Sequence, residues 1–430
     1  MHVLLRRRRR LWLVLPLLAA LATPATAGPG AAAIPLEDPQ TLLTGVLRLA
    51  DERLALMPAV AVTKWIHRQA IEDTAREHAV IERAASQAAG AGLAREPVAR
   101  LFELQVRLAR QLQQELHERW SRDGFDAEPV PTSLTDALRP RLDRLTTALV
   151  EALYLAAPAL RDRNLLRAVA NDVLPATRWT PAAREELVTA LTQVRLVSPR
   201  SLGRARAVGV LRIGTPADYA PFSALSDGRV DGSDVALAVR LATALGLRPV
   251  FVHTSWSSLL RDLADDRFDI AVGGISVSDA RQAVAGFSLP VARSGKTAVG
   301  RCTDRARLAS LTAIDRAGVR VIENPGGTNE GFARRTLHAA SVRIHPDNRT
   351  VFGELLVGHA DVMFTDETEV ALAIRHHRDL CRLLAEAYET TDKAFLLPRE
   401  PAWAGVIDDW LRPELERGVP AALLEDYLGR

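Results

Sequence analysis

The sequence predicts a multidomain chain, an all-α helical bundle followed by an α/β half. Three observations carry this. Its 430 residues exceed what one core usually organises. Residues 38 to about 196 are helix-period, rich in Leu, Ala, Arg and Glu and poor in β-branched runs. From about Ala207, short β runs at 210–214, 249–253, 268–273, 319–323 and 361–365 alternate with helical segments, the pattern of parallel α/β architecture. The change of texture falls near Ser198-Pro199-Arg200-Ser201, and no internal repeat is visible.

Residues 1–27 read as an export signal. Five arginines (6–10), an apolar run (11–22) and Ala25-Thr26-Ala27 supply its three parts, and the run is too short to span a bilayer. Cleavage near Ala27 would remove those five arginines and move the formal charge from +3 to −2. The mature chain is then nearly neutral, with no nucleic-acid footprint and no membrane attachment. A periplasmic location follows as an expectation. The chain has two cysteines, Cys302 and Cys381, which in an oxidising compartment read as a disulfide pair. No Cys-x-x-Cys spacing or histidine cluster suggests a metal.

After a Gly/Ala/Pro-rich stretch (28–35), residues 42–67 predict one helix. Leu42, Val46, Leu49, Arg53, Met57, Val60 and Lys64 fall on one continuous face. Arg53 and Lys64 therefore point where the apolar residues point, roughly 16 Å apart. Unpaired cations are costly to bury. Either they snorkel or find carboxylates, or they line an anion-binding cavity. Asp73 can cap a helix carrying Arg76 and Glu77 in its first turn. Phe102, Val106, Ala109, Gln113 and Leu116 share a face, so Gln113 interrupts an apolar stripe. Arg139 opens a further helix beside Pro140.

These residues resemble the secreted, all-helical chorismate mutases. The resemblance rests on Arg53-Leu54-Ala55-Leu56, Val60-Ala61-x-x-Lys64-Trp65 and Ile71-Glu72-Asp73-x-x-Arg76-Glu77. Phe102-x-x-Gln105 and Leu138-Arg139-Pro140-Arg141-Leu142-Asp143 extend it over roughly residues 40–195. It implies that Arg53, Arg76 and Arg139 hold two substrate carboxylates, with Asp73 in the binding set. Lys64 and Gln113 would bond the ether oxygen and Glu77 the ring hydroxyl. A Claisen rearrangement fits such a site. It needs no nucleophile or cofactor, only a compact bound conformer and a cation at the ether oxygen where negative charge grows. Ala109 departs from the pattern, because relatives place a polar residue there.

The second half resembles the two-lobed periplasmic amino-acid-binding proteins over about 205–430. The ordered motifs are Tyr219-Ala220-Pro221-Phe222, Gly232-Ser233-Asp234, Gly273-Gly274-Ile275-Ser276, Arg281, and residues 324–330 and 360–366. Lobe 1 would take about 205–294 and 395–430, lobe 2 about 297–391, with hinge crossings near 292–296 and 391–394. The resemblance makes Arg281 the partner of a ligand carboxylate and Asp366 that of an amino or hydroxyl group. Residues 326–329, including Thr328 and Asn329, would offer backbone donors at a helix start.

Thr254-Ser255-Trp256, Gly295-Lys296-Thr297, Asn324-Pro325-Gly326-Gly327-Thr328-Asn329-Glu330 and His345-Pro346-Asp347-Asn348 carry a closer resemblance, to the cyclohexadienyl dehydratases, which share that fold. Ser233 and Ala236 depart from the family pattern. The resemblance adds Trp256 and Lys296 to the substrate-binding set and implies conversion of prephenate to phenylpyruvate, and of L-arogenate to L-phenylalanine. A carboxylic acid must protonate the departing hydroxyl, and Glu330 is the expected donor, provided that burial keeps it protonated at a helix start.

The two implied reactions are consecutive. The implied whole is a mutase domain (38–196) and a dehydratase domain (205–430) taking chorismate to phenylpyruvate without cofactor or metal. Chorismate, prephenate and L-arogenate are then its partners, and a homo-oligomer is compatible with the sequence. The other reading makes the second half a non-catalytic amino-acid-binding or sensing module.

Overall fold

Asp38 fixes where the first helix begins: its carboxylate accepts from the Thr41 amide at 2.7 Å, and Pro39 sits where no backbone N–H is needed. In the computed structural model, which describes residues 34–127 and 133–429, helix α1 runs Pro39–Ala55 and α2 Met57–Ile66. The single helix expected over 42–67 is therefore broken at Leu56, where Pro58 opens the new helix. The expected export signal lies outside the described residues.

Helices α3 (Thr74–Gly90), α4 (Arg95–Asp123), α5 (Arg139–Ala156), α6 (Arg163–Val173) and α7 (Pro181–Thr192) follow. Asp73, Asp162 and Thr180 cap α3, α6 and α7 with their side chains. Leu43, Val46 and Leu47 of α1 share one apolar core with Phe102 of α4, Leu149 and Leu153 of α5, and Leu187 of α7. Fully buried Trp179 joins that core, its indole N–H bonded to Asp51 at 2.8 Å, a carboxylate that Arg178 also clasps.

Short α8 (Leu202–Val208) leads into β2 (Val210–Thr215), the first strand of the α/β half along the expected boundary. The next elements are β3 (Asp218–Tyr219), β4 (Ser223–Ser226), β5 (Arg229–Asp231), helix α9 (Ser233–Ala244), β6 (Arg248–His253), β7 (Ile270–Ala271) and β8 (Gly286–Phe287). With β15 (Leu396–Leu397) they form a sheet in the order β3-β4-β5-β1-β6-β2-β7-β15-β8. Its fourth member is β1 (Ile34–Glu37), from before the helical bundle. This strand pairs antiparallel with β5 and parallel with β6. The α/β half is thus not the contiguous unit from 205 that the sequence suggests; the helical bundle leaves and re-enters one sheet.

The second lobe is built on β9 (Ala292–Arg301), which pairs with β12 (Met363–Asp366), β13 (Leu380–Arg382) and β14 (Tyr388–Lys393). Strands β10 (Arg320–Glu323) and β11 (Ser341–Ile344) run parallel beside it. The two interlobe crossings lie side by side, Thr391 opposite Ser294 and Lys393 opposite Ala292. Cys302 and Cys381 are joined by a disulfide at one end of β9. The lobes are closed on each other: Gly326, at φ +73°, sits so near Ser257 that a Cβ would lie 2.5 Å from the Ser257 Cα.

Candidate active sites

The helical bundle holds a cavity of ≈ 130 Å³ between α1, α2, α3, α4 and α5. Arg53, Lys64, Asp73, Arg76, Glu77, Gln113 and Arg139 all line it, so the residues singled out in the first half come together. Arg53 is 7% exposed and in no ion pair among the described residues. Its guanidinium donates to Leu142 O at 3.0 Å and to Thr146 Oγ1, while its Nε has no partner. Burial lowers its pKa to about 10, eased by Asp143 nearby. Among the described residues the Lys64 ammonium donates only to Ile71 O, at 2.6 Å, and burial lowers its pKa against the pull of Asp73 and Glu77.

The other cations are balanced. Arg76 pairs with Asp143 at 2.7 Å, Arg139 with Asp73 at 3.3 Å, and Arg110 with Glu77 at 2.7 Å. Glu77 is therefore occupied by Arg110, a cavity residue the sequence reading did not single out. Gln113 directs its amide nitrogen to Ala109 O at 3.0 Å and Met57 Sδ at 3.5 Å, leaving its oxygen without a partner. Donation to a ligand oxygen requires this amide to turn. The break at Leu56 does not separate Arg53 from Lys64; both still face one cavity.

In the α/β half, Gly273 and Gly274 amides hold the buried Asp234 carboxylate at 3.0 and 2.8 Å, which fixes the turn after β7. Gly274 has φ +71°, and a Cβ there would meet the Tyr219 and Phe222 rings at 2.6 Å. Below this turn lies a narrow recess of ≈ 20 Å³ between the lobes. Tyr219, Trp256, Ser276, Arg281, Thr328, Asn329, Asp366 and Lys393 line it. Arg281 is 7% exposed, donates to Ser276 O at 2.9 Å and is in no ion pair among the described residues. Burial lowers its pKa to about 10. Its guanidinium also lies 5.8 Å from the Trp256 ring centroid.

Lys296 supports the recess wall, donating to Asp366 at 2.9 Å and to Asn329. Asp366 also accepts from Lys393 and from the Tyr219 hydroxyl, a contact across the lobes. Burial raises the Asp366 pKa, but Lys393 and Lys296 outweigh it and hold the group ionised. Lys393 itself is pushed down to about 8 by burial, against the pull of Asp366.

Glu330 stands apart. It does not line the recess: its carboxylate accepts from the Gly326 amide at 2.8 Å and from Arg334 Nε at 2.8 Å. The Gly326 bond and Arg334 hold its pKa below the usual carboxylate value, against weak burial. This direction runs against the expected retention of a proton, since the Gly326 bond and Arg334 outweigh burial. Glu330 also takes one of the backbone donors expected to serve a ligand.

A different acid is buried beside the recess. Glu369, 5% exposed, accepts from Thr365 Oγ1, which in turn accepts from the Asn329 amide at 3.2 Å. Burial raises its pKa to about 8, so it is protonated at neutral pH. Asp218, bonded to the Trp256 indole at 2.8 Å, is raised by burial to about 6. Neither was singled out from the sequence. The available signal was Asp366-x-x-Glu369, a second acid one helical turn beyond the ligand-facing Asp366.

Comparison with known proteins fits this geometry. Residues 211–429 match the family model described as bacterial extracellular solute-binding proteins, family 3. The chain belongs to that family. Residues 44–114 match chorismate mutase type II. Over 257 residues the chain is 43% identical to cyclohexadienyl dehydratase of Pseudomonas aeruginosa, covering 58% of this chain and 96% of that one. Identity to the L-cystine-binding protein TcyJ of Escherichia coli K12 is 26% over 230 residues, 53% of this chain and 86% of that one. The solute-binding fold is also that of the L-arginine-bound amino acid ABC transporter substrate-binding protein AbpA from Streptococcus pneumoniae. That structure is 23% identical with a TM-score of 0.50, covering 52% of this chain and 97% of that one. No described helix is long and apolar enough to cross a membrane.

Proposed function

We propose that the protein is a bifunctional enzyme of phenylalanine biosynthesis, rearranging chorismate to prephenate in the helical cavity and converting prephenate to phenylpyruvate between the lobes. L-Arogenate would be turned into L-phenylalanine at the second site. The reading rests on one feature that the two cavities share, an excess of positive charge suited to a dicarboxylate. In the bundle, Arg53 and Lys64 have no carboxylate partner among the described residues. Between the lobes, Arg281 and Lys393 line the recess with Asp366 as the one carboxylate among the described lining residues, and Lys296 pairs that carboxylate from behind. A neutral zwitterionic amino acid would leave that excess uncompensated, which favours catalysis on a dianion over simple solute binding.

In the bundle, Arg53, Arg76 and Arg139 would hold the carboxylates, and the Lys64 ammonium would leave Ile71 O for the ether oxygen as the bond breaks. Gln113 supplies a second donor once its amide turns. Between the lobes, Arg281 would fix one carboxylate while the ring carboxylate departs as carbon dioxide. The leaving hydroxyl needs a proton, and Glu369 would supply it by protonating Thr365 Oγ1 as that hydroxyl gives up its own proton toward the recess; the Asn329 amide donates to Thr365 and takes no part in the transfer. Export to the periplasm fits the family's location and the disulfide.

Incubating the purified protein with chorismate and following both products tests this. Prephenate should rise first, then phenylpyruvate. Prephenate accumulating without phenylpyruvate would reduce the α/β half to a binding module.

A further inference from the structure

Gln105 lines the helical cavity at 2% exposure, and among the described residues neither its amide nitrogen nor its amide oxygen has a hydrogen-bond partner. The other polar side chains named there each keep at least one partner. A buried amide with no partner weakens the folded state, and an apolar residue of like shape would serve the core better. Such a group is explained when a polar atom arrives with a ligand.

The surroundings identify that atom. Gln105 follows Phe102 by one turn of α4, and the Arg53 guanidinium lies over the Phe102 ring at 5.0 Å from its centroid. Arg53 Nε is also buried without a partner. Two unmet groups, one a charged donor and one an amide, thus border the same side of the cavity. Gln105, Ala109 and Gln113 are spaced by four residues along one stripe, and Ala109 offers no polar atom.

We propose that Gln105 donates an amide N–H to the substrate carboxylate held by Arg53, supplying the contact that Ala109 cannot. This rests on the mutase reading above. The test is steady-state kinetics with chorismate on the full chain, with thermal unfolding measured in parallel. Gln105→Leu should raise KM by ~10–100-fold, the size of a lost bond to a charged acceptor, and leave kcat within a few-fold. Its melting temperature should be unchanged or higher, because the partnerless amide is gone. Gln105→Glu should raise KM further, since its charge opposes the carboxylate. A Gln105→Leu enzyme with wild-type KM overturns the proposal. So does one whose stability and kcat fall together, which would mark Gln105 as structural. Wild-type protein that does not convert chorismate would instead overturn the mutase reading, and this inference with it.

Discussion

The Arg212 guanidinium stands 4.7 Å from the centroid of the Tyr154 ring, a cation from strand β2 laid on an aromatic from helix α5. Arg204 of α8 lies 5.7 Å from the same ring. Arg212 is fully buried and bonds Asp269 at 2.7 Å and Asp266 at 2.6 Å. The ring is thus the helical bundle's plug in a charged socket of the α/β half. The Tyr154 hydroxyl has no hydrogen-bond partner among the described residues, and burial raises its pKa to about 12, so it stays neutral.

Removing the hydroxyl should therefore cost nothing. Tyr154→Phe is expected to be neutral or slightly stabilising in urea unfolding, whereas Tyr154→Ala should lose about 3–5 kcal/mol through the cavity and the lost cation–π contacts. Arg212→Leu should cost a similar ~3–5 kcal/mol, because it leaves the buried Asp269 with only the longer, 3.7 Å contact to Arg204. A Tyr154→Phe variant losing more than ~1 kcal/mol would mean that the hydroxyl has a partner in solution.

Reducing the disulfide should destabilise the second lobe. Cys302 and Cys381 are 79 residues apart, so their link removes about 4 kcal/mol of chain entropy from the unfolded state. Free-thiol titration of the denatured, unreduced protein should find no thiol. Cys302→Ser with Cys381→Ser should lower the denaturant midpoint, and an unchanged midpoint would show that the lobe does not depend on the bridge.

What the sequence revealed follows physical lines. Arg53 and Lys64 were legible as cavity residues because helical spacing puts them on an apolar face, and that held even though Pro58 splits the helix. Strand β1 was not legible. Four residues, Ile-Pro-Leu-Glu, show little alternation, and their partners β5 and β6 lie about two hundred residues away. The motif placed Glu330 but said nothing of its exposure or of the bonds from Gly326 and Arg334 that favour its carboxylate. Glu369 was invisible for the converse reason. Its raised pKa comes from packing that a linear pattern does not record.

Lys64→Ala separates the two sites. Losing the cation at the ether oxygen should cut mutase kcat by about 10²–10³-fold. Prephenate turnover should be unchanged, because Lys64 lines only the helical cavity of the two. Assaying each substrate separately checks this, and equal loss of both activities would rule out two independent sites.

The acid of the dehydratase is decided by comparing Glu369→Gln with Glu330→Gln. Glu369 is protonated below about pH 8 and a proton donor works only in that form, so dehydratase turnover should fall as pH rises through about 8. Lys393, lowered to about 8 as well, titrates in the same range, so the profile alone does not name the residue. The variants do. Glu369→Gln should lower dehydratase kcat by about 10²–10⁴-fold while prephenate still binds through Arg281. Glu330→Gln should change kcat only slightly, because its carboxylate is ionised and turned to Gly326 and Arg334. Stability supplies an independent check. Between about pH 4.5 and about pH 8 the folded protein keeps a proton on Glu369 that the unfolded chain has released, so this group's stabilising effect is lost as pH rises through that window. Glu369→Gln should remove that slope from the denaturation free energy. A fully active Glu369→Gln enzyme with the slope intact would return the role of acid to another group in the recess.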